Sequence, residues 1–183
     1  MQAARDELPE ALHVTEAFLA EHPRLLVVAS YGAGYDTIDV DACTRAGVAV
    51  VNQAGGNAPG VAEHALGMML VLLKRIPEAD HLTRRGEVGS RAALMGRELS
   101  GRTVGLVGLG HVGSHLVQLL RPFGCRVLAT DPNLSVEECK ARGAHKVEFD
   151  TLLAESEIVT VHCPLLNSTR GMFADAAFAA MQD

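Results

Sequence analysis

Residues 103–131 constrain the fold more than any other stretch of this chain. A short apolar and β-branched run leads into the turn Gly108-x-Gly110-x-x-Gly113, and a helix-length apolar pattern, a second apolar run and Asp131 follow. A Gly-x-Gly-x-x-Gly turn alone is a weak signal, but this order of strand, turn, helix, strand and acidic residue is typical of a dinucleotide-binding unit. The stretch therefore predicts a β-α-β unit of a parallel sheet.

Each glycine of the turn has its own expected role. Gly108 allows the tight turn out of the strand, Gly110 lets the backbone approach a pyrophosphate, and Gly113 lets the helix pack closely on the sheet. The helix that begins near His111 directs its unpaired N–H groups and the positive end of its dipole at the phosphates. Asp131, at the end of the second strand, can accept hydrogen bonds from an adenosine ribose and would repel a 2′-phosphate. The pattern therefore favours NAD over NADP.

Composition and charge exclude several other classes of function. At 183 residues and 48% hydrophobic content, the chain is long enough for one good core or two small domains. Its net charge of −6, with no block of basic residues, predicts no nucleic-acid or membrane-surface partner. The apolar run 65–73 is too short to span a bilayer and the first residues lack a signal-peptide pattern, so we expect a cytoplasmic protein. The four cysteines lack C-x-x-C spacing, so neither a metal site nor a disulfide framework is expected.

The region before this unit predicts a second, smaller β-α-β arrangement. We expect a helix over 8–21, a buried strand over 25–29, a helix over 39–46 and a strand over 48–51. The loop Ser30-Tyr-Gly-Ala-Gly-Tyr-Asp36 follows the first strand, at the sheet edge where α/β proteins place their ligands. From its spacing, the loop is equally compatible with backbone binding of a carboxylate and with a plain turn.

A long helix and a polar stretch follow this region. Apolar residues recur at spacings of three and four as far as residue 76, which predicts a helix whose stripe lies in the core or at a subunit interface. Residues 77–102 are polar and basic and predict an excursion between two domains, so we place the domains at 1–97 and 98–183. The stripe consists of Val61, Ala65, Met68, Met69, Leu72 and Ile76.

The pattern continues after Asp131 and returns to the same sheet edge. We expect a helix over 135–142, a strand over 146–149, a helical turn over 150–155 that begins on a capping Asp150, and a strand over 158–161. The last strand carries residues 162–164 to the edge that holds Gly108, where backbone contact with a nicotinamide is plausible. His162 could instead be an ordinary strand-end residue, and we do not predict it to be the catalytic base.

Several segments of the chain match one known pattern. They are residues 32–39, 48–52, 57–64, 101–113, 131–132 and 162–165, with Thr169. With them the chain resembles the D-isomer-specific 2-hydroxyacid dehydrogenases, which include phosphoglycerate dehydrogenase and glyoxylate or hydroxypyruvate reductase, over nearly its whole length from Pro23. The resemblance implies an α/β fold, with part of a doubly wound parallel (Rossmann) sheet and part of a flavodoxin-like substrate domain. It also implies a homodimer that transfers a hydride between NAD and a small 2-hydroxy or 2-oxo acid.

The resemblance also assigns residues to two sites. The substrate carboxylate would be bound by backbone N–H groups of the loop at Tyr31, Gly32 and Ala33. The NAD site would be formed by residues of the glycine turn, the second strand end, the turn after the last strand and the start of the long helix. These residues are Val61, Gly108, Gly110, His111, Val112, Gly113, Asp131, Pro132, His162, Cys163, Pro164 and Thr169.

No catalytic residue can be assigned by the same comparison. The family's catalytic Arg, Glu and His lie on segments that would follow Asp183, and the family's opening strand and helix would precede residue 1. We therefore expect a chain truncated at both ends, with negligible turnover by itself. A non-catalytic, NAD-binding regulatory module of the corepressor type is the alternative, because the fold alone does not determine chemistry. Formate dehydrogenase and adenosylhomocysteine hydrolase share the glycine pattern but match the substrate loop less well.

Overall fold

The described residues of the chain form two compact units. A computed structural model describes residues 13–87 and 89–182. The units divide between Asn57 and Ala58, well before the boundary that we placed near residue 98. The predicted boundary assigned the long helix to the first domain, but that helix packs against the helix of the glycine turn in the second unit. Residues 8–12 of the predicted first helix lie outside the described residues.

The first unit is a small parallel β-α-β arrangement. Its helices begin on Thr15 and Asp39, whose side chains accept hydrogen bonds from backbone N–H groups of the first turn. Its two strands pair in parallel, with Val27 opposite Ala49 and Ser30 opposite Asn52. The elements are α1 (Glu16–Glu21), β1 (Val27–Ser30), α2 (Val40–Arg45) and β2 (Ala49–Asn52), as expected in type and order.

The first strand of this unit is not buried, so that part of the prediction is wrong. Val28 and Val50 pack against a small core formed around α1 and α2. Val27 and Val51 point to the opposite face and are about half exposed, at 52% and 49%. Side chains alternate between the two faces of a strand, and within the described unit only one face is covered by helices.

The second unit contains a four-stranded parallel sheet. The strand order is β5-β4-β3-β6, and all three pairings are parallel. Its elements begin with α3 (Ala58–Leu73), α4 (Ile76–Arg84), a short 3₁₀ turn (Arg91–Leu94), β3 (Thr103–Val107), α5 (His111–Leu120) and a second 3₁₀ turn (Arg121–Phe123). They continue with β4 (Arg126–Thr130), α6 (Val136–Ala141), β5 (His145–Lys146), α7 (Phe149–Glu155), β6 (Ile158–Val161) and α8 (Asp175–Ala179).

Helices cover both faces of this sheet. Val104 and Leu106 of β3 point toward α5 and α3, whereas Val107 points toward α7 and α8. Gly105 lies under α7, where a Cβ would come within 2.3 Å of Ser156 Oγ. This arrangement confirms the α/β class and the doubly wound parallel sheet that were expected from the sequence.

Four local predictions were wrong in detail. The helix expected to run to residue 76 ends at Leu73, and α4 occupies part of the expected excursion. Arg75 between them is left-handed at φ 53°, and Pro77 stands in the first turn of α4, where its missing N–H costs no helical hydrogen bond. The expected strand 146–149 is reduced to β5, because the chain turns at Glu148 to start α7; Glu148, not Asp150, occupies the capping position.

Among the described residues, no helix has the length and apolar character needed to cross a membrane.

Candidate functional site

The glycine turn is packed against the turn that follows β6. Gly108 has φ +96°, which is strained for residues other than glycine. A Cβ at Gly108 would come within 2.8 Å of Cys163 N. The N–H of Gly108 donates to the carbonyl of Thr130 at 2.9 Å. The structure therefore brings together the ends of β3, β4 and β6, as the sequence predicted.

The other two glycines differ in what surrounds them. A Cβ at Gly113 would come within 2.5 Å of Gly108 O, so the first turn of α5 lies directly on the glycine turn. A Cβ at Gly110 would meet nothing within 4 Å, so this part of the backbone is open on its outer side. The N–H groups of His111 and Val112 belong to the first turn of α5 and have no partner inside the helix. Open backbone beside free N–H groups fits a pyrophosphate.

Asp131 is fixed to the glycine turn by its carboxylate. Its Oδ2 accepts from Leu109 N at 2.9 Å, and its Oδ1 accepts from Asn133 N at 3.0 Å. An ionised carboxylate has about four acceptor positions, so two hydrogen bonds leave capacity for ribose hydroxyls. Pro132 follows directly and is exposed. The acidic group is thus held at the end of β4 in a defined orientation.

Arg142 is a neighbour of the glycine turn that the sequence did not reveal. Its Nη1 donates to the carbonyl of Leu109 at 2.6 Å, and Ser114 Oγ donates to the same carbonyl at 3.2 Å. Arg142 is the C-cap residue directly after α6, 33 positions after Leu109. No local motif marks it, because only the tertiary structure brings the residue after α6 next to the glycine turn.

The turn after β6 continues the pairing of that strand. His162 N donates to Val107 O at 2.8 Å, and His162 Nε2 lies 2.9 Å from Thr160 Oγ1. Burial lowers the pKa of the His162 imidazole, which favours its neutral form. Burial likewise raises the pKa of the Cys163 thiol and keeps it protonated. These groups therefore form a neutral, partly desolvated surface beside Gly108.

Thr169 closes the segment that follows. Its Oγ1 accepts from Leu166 N at 2.8 Å and donates to Pro164 O at 2.7 Å. The hydroxyl thus holds the backbone that follows Cys163. Contact of Thr169 with phosphates stays a prediction, as does contact of Val61, in the first turn of α3, with a nicotinamide.

The loop predicted for the substrate lies in the first unit and is held by its carbonyl groups. The carbonyls of Gly32, Ala33 and Gly34 accept from Gln53 N at 3.1 Å, Asn52 Nδ2 at 2.7 Å and Ser30 Oγ at 2.6 Å. In a trans peptide, the next N–H points away from each carbonyl, so the N–H groups of residues 33–35 face away from these partners. Tyr31 is 98% exposed. The sequence did not reveal the roles of Ser30 and Asn52 in this loop.

Comparison with known proteins identifies relatives of this chain. Residues 66–183 match the family model described as D-isomer specific 2-hydroxyacid dehydrogenase, NAD binding domain. The chain is 40% identical to D-3-phosphoglycerate dehydrogenase of Archaeoglobus fulgidus over 159 residues, which cover 87% of this chain and 30% of the relative. It is 38% identical to the Bacillus subtilis enzyme of the same name over 162 residues, which cover 88% of this chain and 31% of that enzyme.

Solved structures give the same picture of the fold. D-lactate dehydrogenase from Aquifex aeolicus, complexed with NAD and lactic acid, superposes with a TM-score of 0.87 at 28% identity, covering 97% of this chain and 57% of that one. NAD-dependent formate dehydrogenase from Staphylococcus aureus, in complex with NAD, superposes with a TM-score of 0.82 at 28% identity, covering 93% of this chain and 51% of that one. The chain thus spans about a third of the length of its curated relatives and about half of these structures.

Proposed function

The chain belongs to the D-isomer-specific 2-hydroxyacid dehydrogenase family, and from this premise we propose that it supplies the cofactor site and part of the substrate site for oxidation and reduction of a small 2-hydroxy or 2-oxo acid. The matched family domain binds NAD, which confirms NAD as the expected cofactor. When bound, NAD supplies or accepts the hydride. The observation that carries the proposal is the open backbone at Gly110, bordered by the start of α5 and by the fixed carboxylate of Asp131.

The residues of the second unit would divide the cofactor among them. Gly110 with the N–H groups of His111 and Val112 would hold the pyrophosphate, and Gly108 and Gly113 would keep that backbone in place. Asp131 and Pro132 would border the adenosine ribose. The further residues assigned to the nicotinamide side and the phosphates are Val61, His162, Cys163, Pro164 and Thr169.

The choice of NAD over NADP would depend on Asp131. Its negative charge repels a 2′-phosphate, while its free acceptor positions bind the ribose hydroxyls. We expect Asp131→Arg to weaken NADH binding about tenfold and to strengthen NADPH binding, measured by titrating both cofactors. Asp131→Asn is the matched control, since it removes the charge but keeps an acceptor, and it should give a smaller change for each cofactor. Unchanged affinities in Asp131→Arg would remove this residue from the ribose site.

The loop at Tyr31, Gly32 and Ala33 would bind the substrate carboxylate. Its support is the row of carbonyls held by Ser30, Asn52 and Gln53 N, which directs the N–H groups of residues 33–35, including that of Ala33, away from these partners. Backbone N–H groups arranged in this way can form an anion-binding concavity. The substrate is therefore proposed as a class, small acids with a hydroxyl or oxo group at C2, and not as one compound.

The catalytic Arg, Glu and His of the family are proposed to come from segments other than residues 1–183. A general acid or base contributes about 10²–10⁴-fold, so we expect the 183-residue polypeptide to bind NADH with negligible turnover of glyoxylate, hydroxypyruvate or pyruvate. A steady-state assay of this polypeptide, beside a titration with NADH, tests both parts. Rates like those of a complete dehydrogenase would contradict the assignment, and binding without turnover in the complete protein would favour the regulatory alternative.

A homodimer in the cytoplasm completes the proposal. Its support in the second unit is a group of exposed apolar side chains on and after α3, with Met68 at 50%, Leu72 at 74% and Met95 at 70% exposure. Such side chains mark an association surface when they lie together. Light scattering should detect a dimer in wild-type protein and a monomer in Leu72→Asp, and cell fractionation tests the location.

A further inference from the structure

The backbone of Leu109 is held at both ends by charged side chains from outside the glycine turn. Its N–H donates to Asp131 Oδ2 at 2.9 Å, and its carbonyl accepts from Arg142 Nη1 at 2.6 Å. Ser114 Oγ, 3.4 Å from the same Arg142 nitrogen, donates to this carbonyl at 3.2 Å. The Leu109 side chain is completely buried. The residue between the first two glycines is therefore fixed in orientation.

This restraint determines where the next N–H points. The described chain contains no cis peptide, so the N–H of Gly110 points away from the Leu109 carbonyl and hence away from Arg142. Gly110 has no Cβ and open space around it, so its own packing does not restrict the rotation of this peptide. The hydrogen bonds to the Leu109 carbonyl are what keep the peptide from turning over.

We propose that Arg142 is a positioning residue of the cofactor site, which keeps the Gly110 N–H directed at a bound pyrophosphate by holding the Leu109 carbonyl. This inference rests on the proposed function, since it names a residue that supports the same NAD site. A charged donor makes a stronger hydrogen bond than a neutral one, so Arg142 contributes more to this restraint than Ser114. Arg142 acts through Leu109 and is not itself assigned a contact with the dinucleotide.

The test compares Arg142→Met with a control of matched charge. Arg121 lines the same groove beside α5, but the Leu109 carbonyl accepts from Arg142 and Ser114, so Arg121→Met changes the charge and leaves the turn intact. Binding of NADH, ADP-ribose and adenosine is measured by titration, and the Gly110 amide of the ligand-free protein is followed by NMR and hydrogen exchange. Arg142→Lys keeps the charge with a less suitable donor geometry.

We expect Arg142→Met to bind NADH and ADP-ribose about tenfold more weakly, equivalent to about 1.4 kcal/mol, with adenosine binding unchanged. Arg142→Lys should bind NADH and ADP-ribose roughly threefold more weakly than wild type, and Arg121→Met less than about twofold more weakly. The Gly110 amide should shift and exchange faster in Arg142→Met alone. Ser114→Ala should give a smaller loss in the same direction, and it replaces Arg142→Met if that variant does not fold.

Three results would overturn the inference: equal losses in Arg142→Met and Arg121→Met, an equal loss for adenosine, or an unchanged Gly110 amide. The first would indicate a general charge effect and the second a general structural one. If wild-type protein fails to bind NADH, the proposed function fails. The Gly110 amide still decides separately whether Arg142 orients the turn.

Discussion

In the second unit the glycine turn follows β3, in a sheet that is covered on both faces, whereas in the first unit the loop at residues 31–35 follows β1, in a pair of strands with one covered face. The glycine turn is fixed by close packing, with Gly108 and Gly113 lying where no Cβ fits, and by the polar contacts to the Leu109 backbone. The loop in the first unit is fixed by hydrogen bonds to its carbonyls, and a Cβ at Gly32 would meet only Gly34 N, at 4.0 Å. The same task, exposing backbone N–H groups to an anion, is thus solved in the second unit by sterics together with polar side chains and in the first unit by polar contacts alone.

This difference leads to different sensitivities in the two units. Close packing fails sharply when one atom is added or removed, because the surrounding atoms relax only partly. A loop held by exposed polar contacts loses less per contact, since water replaces part of each lost hydrogen bond. Pairs of matched substitutions in contrasting environments therefore test the comparison.

The largest expected contrast is between two leucines, one within the first strand of the second unit and one just before the first strand of the first unit. Leu106 in β3 is completely buried, and Leu26 just before β1 is 74% exposed. We expect Leu106→Ala to lower the free energy of unfolding of the second unit by about 3 kcal/mol. Leu26→Ala should change the free energy of unfolding of the first unit by less than about 0.5 kcal/mol. Native-state hydrogen exchange of the β3 and β1 amides measures each separately. A large loss in Leu26→Ala would show that the Leu26 side chain is covered in solution.

A second contrast compares two helical glycines within the second unit. A Cβ at Gly113 would come within 2.5 Å of a backbone oxygen, whereas a Cβ at Gly67 in α3 would meet nothing within 4 Å. We expect Gly113→Ala to lower the free energy of unfolding by about 2 kcal/mol and to weaken NADH binding, because the backbone must shift. Gly67→Ala should instead stabilise the protein by up to about 1 kcal/mol through its helix propensity. Urea unfolding of both variants checks the signs, and equal effects would mean that propensity alone decides.

The third contrast concerns the loop in the first unit. Asn52→Ala removes the side-chain donor to the Ala33 carbonyl, whereas Gln53→Ala keeps the backbone donor to the Gly32 carbonyl. We expect Asn52→Ala to lower the free energy of local opening of this loop by about 1 kcal/mol, and therefore to accelerate hydrogen exchange of the amides of residues 33–35. Gln53→Ala should leave those amides close to wild type. Unchanged exchange in Asn52→Ala would show that the loop is held by something other than this contact.

The glycine-turn unit was predicted correctly from local sequence, whereas the strand at 146–149 and the cap at Asp150 were not. The strand, glycine turn, helix and strand over 103–131 could be predicted because each glycine and the final acidic residue have a local physical role. Three features could not be predicted in this way. Arg142 contacts Leu109 from 33 positions away, the exposure of Val27 depends on which face of β1 is covered, and the break at Arg75 interrupts a continuous apolar pattern. Each depends on packing between elements, and local periodicity carries no information on it.

The smallest expected effect is a pH dependence that belongs to the turn after β6. Burial lowers the pKa of His162 below its ordinary value of 6.5, so the unfolded chain takes up this proton at a higher pH than the folded chain. Between the two pKa values the unfolded state binds more protons, and stability falls as the pH drops below 6.5. Above 6.5 both states are neutral at this residue, and its contribution is fully present.

We expect urea unfolding of wild-type protein to show this loss of stability between pH 6.5 and pH 5, and His162→Asn to reduce the loss relative to its own stability at pH 7.5. The variant removes the titrating group but keeps a polar side chain next to Thr160. An unchanged slope below pH 6.5 in His162→Asn would mean that the imidazole is equally accessible to protons in both states. In that case the turn beside Gly108 would be solvated in the folded protein. The contrast between the two units, which depends on close packing in the second unit, would then not hold at this turn.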